Sequence, residues 1–136
     1  MSPDEARARF DASPVAYLAT VGADGGPHIV PITFVRHGDT IFTATDGKPK
    51  RGTTLRRFDN VTTNPLVSVL VDAYDADWSR LWWARADGRG TVITGGAELD
   101  RALWLLRQRY PQYATVALSG PALAIAVDRW SGWSAT

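Results

Sequence analysis

Short apolar runs, separated by turns rich in glycine, proline and aspartate, make up most of the chain and predict strands. Leu66–Asp72 is nearly all apolar, which indicates a strand buried on both faces. Pro31 lies inside the second run and, because it has no backbone N–H, indicates an edge strand or a bulge. The predicted strands are Val15–Val21, His28–Arg36, Thr40–Thr45, Leu66–Asp72, Trp82–Ala86, Gly90–Thr94 and Ala122–Arg129.

Helical patterns occur in three places. Ser2 is a suitable N-cap, a proline follows at the first helical position, and Glu5 completes a capping box, while a serine–proline pair ends this helix near Ala12. A second helix of about two or three turns leads from a basic segment through Asn60. The third, Glu98–Tyr110, has leucines at helical spacing, acids at its start and arginines at its end.

The turns predict that most strands are joined as hairpins. Gly22–Gly26 offers three glycines for the positive φ angles of a tight turn. Asp87–Arg89 predicts a second hairpin between Trp82–Ala86 and Gly90–Thr94. Hairpin-linked strands with few helices favour a mostly β fold, an antiparallel barrel of about six strands with peripheral helices. Residues 1–136 have neither repeats nor a linker, so we predict a single domain.

Composition and charge narrow the class of protein. The 15 basic and 14 acidic residues give a net charge of +1, which argues against a protein that coats nucleic acid. The chain has no cysteine, so thiolate catalysis and thiolate metal sites are excluded. Its start has no leader pattern and no apolar run reaches membrane length. We therefore expect a cytoplasmic protein without membrane or nucleic-acid partners.

The sequence offers no self-contained catalytic machinery. Its two histidines, His28 and His37, have no partner at metal-ligand spacing, and we interpret His28 as a surface residue at a strand end. Zinc-protease, dinucleotide, P-loop and nucleophile-elbow motifs are missing. We predict no catalytic side chain and no metal. If the protein is an enzyme, a bound cofactor supplies the reactivity.

The six tryptophans are many for a chain of 136 residues. Large aromatic side chains are enriched in cores and interfaces. Part of this excess therefore indicates either a subunit interface or a pocket for a flat ligand, and the sequence leaves both open.

A basic segment, residues 48–57, lies between the third predicted strand and the second predicted helix. It contains both lysines of the protein and three arginines, with no acid between Asp46 and Asp59. Cations and backbone N–H groups at the start of a helix suit a phosphate. The alternative is a solvated basic loop.

Several blocks of the sequence resemble the split-barrel flavin-binding proteins related to pyridoxine 5′-phosphate oxidase. The opening hairpin carries the first of them, and the later blocks resemble the branch of the family that uses the deazaflavin coenzyme F420. The last two blocks are similar to one small subfamily of F420-dependent enzymes. The blocks are Val15–Thr20, Asp24–His28, Pro31–Phe34, Lys48–Lys50, Leu55–Arg57, Asn60–Val61, Asn64–Asp72, Tyr74–Gly88 and Trp130–Ala135.

The resemblance implies a six-stranded split barrel that forms a homodimer, with two cofactor sites at the interface. It assigns the cofactor's phosphate to Lys48 and Lys50, with weaker candidates in Arg51, Thr53 and Arg57. It lays the tricyclic ring against two strands, which implicates Val30, Pro31, Ile32, Thr33, Thr43, Ala44 and Thr45. The family's C-terminal residues reach the partner's cofactor, which here implicates Trp130 and Trp133, with packing in the dimer core as the alternative.

Two functions follow from the resemblance. In the first, the protein is an oxidoreductase in which reduced F420 transfers a hydride to a small organic acceptor. In the second, it is a non-catalytic carrier of F420 or FMN. An FMN-dependent oxidoreductase is a further alternative, because both cofactors present a phosphate and a similar tricycle.

Overall fold

The structure, a computed structural model, describes residues 1–46 and 55–136. Within these residues the chain forms three α-helices and seven β-strands. The helices are α1 (Pro3–Ala12), α2 (Arg56–Thr63) and α3 (Gly96–Arg109). The strands are β1 (Ala16–Val21), β2 (Pro27–Ile32), β3 (Val35–His37), β4 (Thr40–Asp46), β5 (Leu66–Ala73), β6 (Trp82–Ile93) and β7 (Leu118–Ser134).

The described strands form one antiparallel sheet in the order β2-β1-β5-β6-β7-β4-β3. Its edge strands, β2 and β3, follow each other in the chain and are separated only by Thr33 and Phe34. The sheet therefore curls until its two edges meet at this joint, as in a barrel that no hydrogen-bonded ladder closes. The prediction of a mostly β, antiparallel barrel with peripheral helices is confirmed.

The barrel interior holds the larger of two hydrophobic clusters. Alternate positions of the strands point inward and are fully buried, as Leu18, Val69 and Ile125 illustrate. Phe10 of α1 and Phe58 of α2 pack into the same cluster. These two helices therefore hold apolar side chains against the inner faces of the strands.

A smaller cluster lies between α3 and the outer face of the sheet. Leu103 and Leu106, from the leucine stripe predicted for this helix, are buried there against Phe42 of β4. The outer faces of β1, β2 and β5 are exposed or half-buried instead. For this reason the prediction that β5 is buried on both faces is wrong: Val67 and its alternate neighbours are buried, whereas Leu66 is 54% exposed.

The predicted hairpin at Asp87–Arg89 is also wrong. Trp82–Ile93 forms one continuous strand, β6, which pairs with β5 on one side and β7 on the other. The register of the β6–β7 pair shifts between Asp87 and Gly88. A Cβ atom on Gly88 would lie 2.1 Å from the carbonyl oxygen of Ala126. This glycine permits the close approach of two backbones at a bulge, not a turn.

Two other strand boundaries differ from the prediction. The run His28–Arg36 breaks at Thr33 and Phe34 into β2 and β3, while two predicted runs join in β6, and the described sheet has seven strands where a barrel of about six was predicted. The tail Trp130–Trp133, expected to follow the last strand, is part of β7 and pairs with β6. Pro31 lies on an edge strand, as predicted.

The capping box predicted at the start of α1 is confirmed. The Ser2 hydroxyl accepts a hydrogen bond from the Glu5 N–H at 3.1 Å, and the Glu5 carboxylate accepts one from the Ser2 N–H at 2.9 Å. These two bonds are the predicted capping box of α1. Among the described residues, no helix combines the length and apolarity needed to cross a membrane.

Candidate functional site

Thr33 lies at the joint where the two sheet edges meet. Thr43 Oγ1 donates a hydrogen bond to the Thr33 carbonyl oxygen over 2.7 Å. The Thr33 hydroxyl lies 2.6 Å from the hydroxyl of Tyr113, and either group can donate. Thr33 and Thr43, which the resemblance assigns to two different strands of the ring site, are therefore in direct contact.

Tyr110 fixes the same joint from the end of α3. The Phe34 N–H donates to the Tyr110 hydroxyl at 3.1 Å, and that hydroxyl donates toward the carbonyl oxygens of Pro14 and Phe34 at 2.8 and 2.9 Å. Burial raises the pKa of Tyr110, so the hydroxyl keeps its proton as a donor. A cavity of about 270 Å³ adjoins Thr33, Tyr110 and Tyr113. The sequence pattern places Tyr110 at the end of the third predicted helix but gives no sign of this polar role.

The side chains predicted to face a cofactor ring differ in exposure. Three of them are buried: Ile32, Thr43 and Ala44. Val30, Thr33 and Thr45 are half-buried, whereas Pro31 is exposed on the outer face of β2. A ring in this region can therefore contact the backbone of the strands and the Pro31 side chain, but not the buried side chains.

His28, interpreted from the sequence as a surface residue at a strand end, is the second residue of β2 and is half-buried. It pairs across the ladder with Thr20, whose hydroxyl accepts a hydrogen bond from Asn60 of α2 at 3.0 Å. The Nδ1 atom of His28 is buried and has no hydrogen-bond partner within residues 1–46 and 55–136. Buried polar atoms are normally paired, so this nitrogen is an exception within the described residues.

The helix α2 begins just after the segment predicted to bind phosphate. Its N-cap, Leu55, makes no side-chain capping bond. Arg56 is exposed, and Arg57 is half-buried with its guanidinium 5.7 Å from the centre of the Phe58 ring. Two arginines at a helix start without a side-chain cap suit an anion. The other predicted phosphate ligands lie outside the described residues: Lys48, Lys50, Arg51 and Thr53.

The two C-terminal tryptophans have different surroundings. Trp130 is only 7% exposed, packs edge-on against Phe10 with ring centres 5.2 Å apart, and donates to Asp39 Oδ1 at 2.8 Å. It is thus a core residue of its own chain, and its contact with a partner's cofactor stays a prediction. Trp133 is 49% exposed and lies opposite Trp83 in the β6–β7 ladder. No group of side chains in the described part of the chain could hold a metal ion.

Comparison with known proteins agrees with this architecture. The family model described as pyridoxamine 5′-phosphate oxidase matches residues 2–134. The chain belongs to this family. No protein with a curated description matches it.

Solved structures show that this member of the pyridoxamine 5′-phosphate oxidase family has the split-barrel fold. A conserved hypothetical protein from Mycobacterium tuberculosis is 21% identical and has a TM-score of 0.76, with 99% of this chain and 86% of that chain covered. An FAD-binding protein from Mesorhizobium loti is 21% identical with a TM-score of 0.70, and coverage is 97% and 92%. The FAD-binding protein from Mycobacterium smegmatis is 21% identical with a TM-score of 0.66, and coverage is 98% and 94%.

The described residues fit a flavin-type group, the class of cofactor that belongs to this fold. On β2, Pro31 offers an exposed apolar contact on the outer face of the strand. Arg56 and Arg57 supply positive charge at the start of α2. These features match what a phosphate-bearing tricycle needs.

Proposed function

We propose that the protein is an F420-dependent oxidoreductase in which reduced F420 donates a hydride to a small organic acceptor. Membership of the pyridoxamine 5′-phosphate oxidase family supports a redox role with a flavin-type cofactor. The preference for the deazaflavin rests on the likeness of Tyr74–Gly88 and Trp130–Ala135 to F420-dependent enzymes. We further propose a homodimer with a cofactor site at each end of its interface.

The observation that carries the proposal is the positive charge at the start of α2. F420 has a long acidic tail beyond its phosphate, whereas FMN ends at the phosphate. With Lys48 and Lys50 on the phosphate, Arg51, Arg56 and Arg57 remain to attract the tail. An exposed cation, as Arg56 is, contributes more to encounter and orientation than to final affinity.

Bound F420 would supply the hydride, and residues of the chain would hold the cofactor in the orientation that the transfer needs. The hydrogen bonds of Thr43 and Tyr110 hold the backbone of Thr33 and Phe34 in one arrangement at the joint. Pro31 presents an apolar surface on which a ring can lie, and the chain needs no covalent bond to the cofactor. The site acts by orienting the cofactor and excluding water from one of its faces.

A second candidate is an FMN- or FAD-dependent oxidoreductase. The FAD-binding proteins of similar fold from Mesorhizobium loti and Mycobacterium smegmatis favour it. A flavin bound by the same residues would still need the cations of the basic segment for its phosphate. The two candidate functions therefore differ in the cofactor that the protein binds.

Anaerobic titration of the purified protein with F420 and with FMN distinguishes these functions. We expect protein made in a host without F420 to be colourless and to bind added F420 more tightly than FMN. Binding should weaken as salt rises, because salt screens the attraction between the acidic tail and exposed cations such as Arg56. Oxidation of reduced F420 by candidate acceptors, in the presence of the protein, then separates an enzyme from a carrier. If the purified protein is yellow, contains stoichiometric FMN and does not bind F420, the assignment is refuted.

The double variant Lys48→Ala/Lys50→Ala tests the phosphate site directly. Each charge-assisted hydrogen bond to a phosphate contributes roughly 1.5–3 kcal/mol, so the pair should cost about a hundredfold to ten-thousandfold in F420 affinity. Arg80→Ala/Arg129→Ala removes the same charge from two other exposed cations and should leave the affinity nearly unchanged. Equal affinity of wild type and the lysine variant, with circular dichroism unchanged, would return the segment to a solvated loop.

A further inference from the structure

An aromatic groove lies on the outer face of the sheet, where β5, β6 and β7 run side by side. Its volume is about 540 Å³, and its apolar walls include Leu70, Trp83 and Trp133. Trp83 and Trp133 are directly opposite each other in the β6–β7 ladder. Two charged residues, Arg85 and Asp72, also line the groove. It thus combines flat apolar walls with a small number of polar groups, as small-molecule sites do.

The guanidinium of Arg85 is held in place from behind. Asp87 Oδ2 accepts a hydrogen bond from Arg85 Nε at 3.1 Å, and Asp87 Oδ1 accepts one from the Ser68 hydroxyl at 2.6 Å. The guanidinium carbon also lies 5.5 Å from the centre of the Trp83 ring. Only Nε is used in these bonds, so the terminal amino groups have no partner among the described residues.

This arrangement contributes little to stability. The side chains of Arg85 and Asp87 are 41% and 31% exposed, and ion pairs of such exposure stabilise a fold by less than about 1 kcal/mol. The Ser68–Asp87–Arg85 chain does, however, restrict the orientation of a guanidinium whose free N–H groups match the two oxygens of a carboxylate. These contacts therefore fix the position of the Arg85 guanidinium and add little to the stability of the fold.

We propose that this groove binds a planar aromatic carboxylate, with its ring against Trp83 and Trp133 and its carboxylate on the terminal amino groups of Arg85. The opposed tryptophans provide π-surfaces for a flat ring. The groove is open to water, so an acid that keeps part of its carboxylate hydrated loses little solvation on binding. Asp72 also lines the groove, and its negative charge disfavours the bound carboxylate. Removal of the Asp72 charge should therefore strengthen binding, whereas removal of the Arg85 charge should weaken it.

The inference goes beyond the proposed function and is independent of it, because it requires neither F420 nor a flavin. Most predicted cofactor contacts lie on β2, on β4 and at the start of α2, whereas the groove is formed by the end of β5 and the paired parts of β6 and β7. Trp133 alone belongs to both sets. The preference for a carboxylate depends on Arg85, which is not a predicted cofactor contact, so failure of cofactor binding would leave that preference untouched, and the reverse is also true.

Calorimetric titration with 2-naphthoate and its neutral counterpart 2-naphthamide tests the proposal. The wild-type protein should bind the carboxylate about tenfold more tightly than the amide, since one charge-assisted contact in an open site is at stake. Arg85→Gln should abolish that preference. Asp72→Asn should strengthen naphthoate binding about twofold by removing a nearby like charge. Trp133→Leu should weaken both ligands alike.

Arg89→Gln is the matched control. Arg89 lies on the same strand, and its ion pair with Asp128 at 3.9 Å is two-thirds exposed. This variant should bind naphthoate like the wild type. The proposal is overturned if acid and amide bind equally, if Arg89→Gln loses as much affinity as Arg85→Gln, or if Asp72→Asn weakens binding. It is also overturned if naphthoate does not bind and Trp133→Leu converts a dimer into monomers, since a second copy then covers the groove.

Discussion

Asp39 is the residue on which the N-terminal helix and the last strand converge. Its carboxylate accepts hydrogen bonds from the Trp130 indole at 2.8 Å and from Arg7 Nε at 3.0 Å. These contacts, the indole first, lower the pKa of Asp39. Trp130 in turn packs on Phe10 in the barrel interior. An exposed carboxylate thus orients a buried aromatic ring.

The lowered pKa of Asp39 predicts a specific loss of stability in acid. A carboxyl group whose pKa is lower in the folded state stabilises that state above the unfolded pKa, near 3.8, and this contribution disappears as the pH falls through the folded pKa. Asp39→Asn should therefore be less stable than the wild type at pH 7, with the difference shrinking below about pH 4. Urea unfolding at pH 7, 4 and 3 measures this.

Asp128→Asn serves as the comparison for the acid prediction. Asp128 is an exposed carboxylate whose only ion pair among the described residues is the long contact with Arg89. This variant should follow the wild-type pH dependence. If Asp39→Asn and the wild type instead stay equally far apart in stability from pH 7 to pH 3, the contacts of Asp39 do not depend on its charge.

Signals that act over a few residues were readable from the sequence, whereas contacts between distant residues were not. Ser2 and Glu5 are three residues apart, and their capping box follows from local geometry. Asp39 and Trp130 are 91 positions apart, and no periodicity links them. The same holds for Thr33 and Tyr113, 80 positions apart, which is why the polar joint beside the predicted ring contacts went unnoticed.

At the scale of elements, a glycine inside the strand β6 led to the wrong prediction of a hairpin turn. The sequence Asp87-Gly88-Arg89 has the composition of a hairpin turn, and the chain continues straight through it. Composition alone cannot separate a turn from a bulge, because both need a residue without a Cβ atom. The choice is made by β7, whose Ala126 carbonyl approaches Gly88 from another part of the chain.

Gly88→Ala should therefore be strongly destabilising. The new methyl group would lie 2.1 Å from a backbone oxygen of a neighbouring strand, which cannot move without breaking the ladder. We expect a loss of about 3 kcal/mol or more in the free energy of unfolding. Chemical denaturation of the purified variant measures it.

Gly95→Ala is the control for the glycine prediction. Gly95 has an extended φ of −178° and nothing within 4 Å of the position of an added Cβ. Its substitution should cost less than about 1 kcal/mol, the usual range for an N-cap position. Similar losses in the two variants would mean that the close approach at Gly88 is relieved by a small shift of β7.

At the scale of the whole molecule, the outer face of β1, β2 and β5 is apolar and has no helix of the described chain packed on it. Ile29 is 66% exposed and Leu66 54%, and the large side chain of Tyr17 lies on the same face. Adjacent exposed apolar side chains on neighbouring strands are typical of a protein–protein interface. Tyr17 lies opposite Leu70, a wall of the aromatic groove, in the β1–β5 ladder, so the patch borders the groove and extends from there to Leu66 at the other end of β5.

This patch predicts a homodimer that two substitutions on this one face can break. Light scattering at micromolar concentration should give twice the chain mass of 14.8 kDa. Ile29→Glu/Leu66→Glu should give monomers with unchanged circular dichroism, because both side chains are already largely exposed and a buried carboxylate pair at an interface is costly. Trp104→Glu, which changes an equally exposed side chain on α3, should remain dimeric.

A wild-type particle of one chain mass would contradict the prediction and remove the partner's share of the proposed cofactor site. A double variant that stays dimeric would instead move the interface to another face of the barrel.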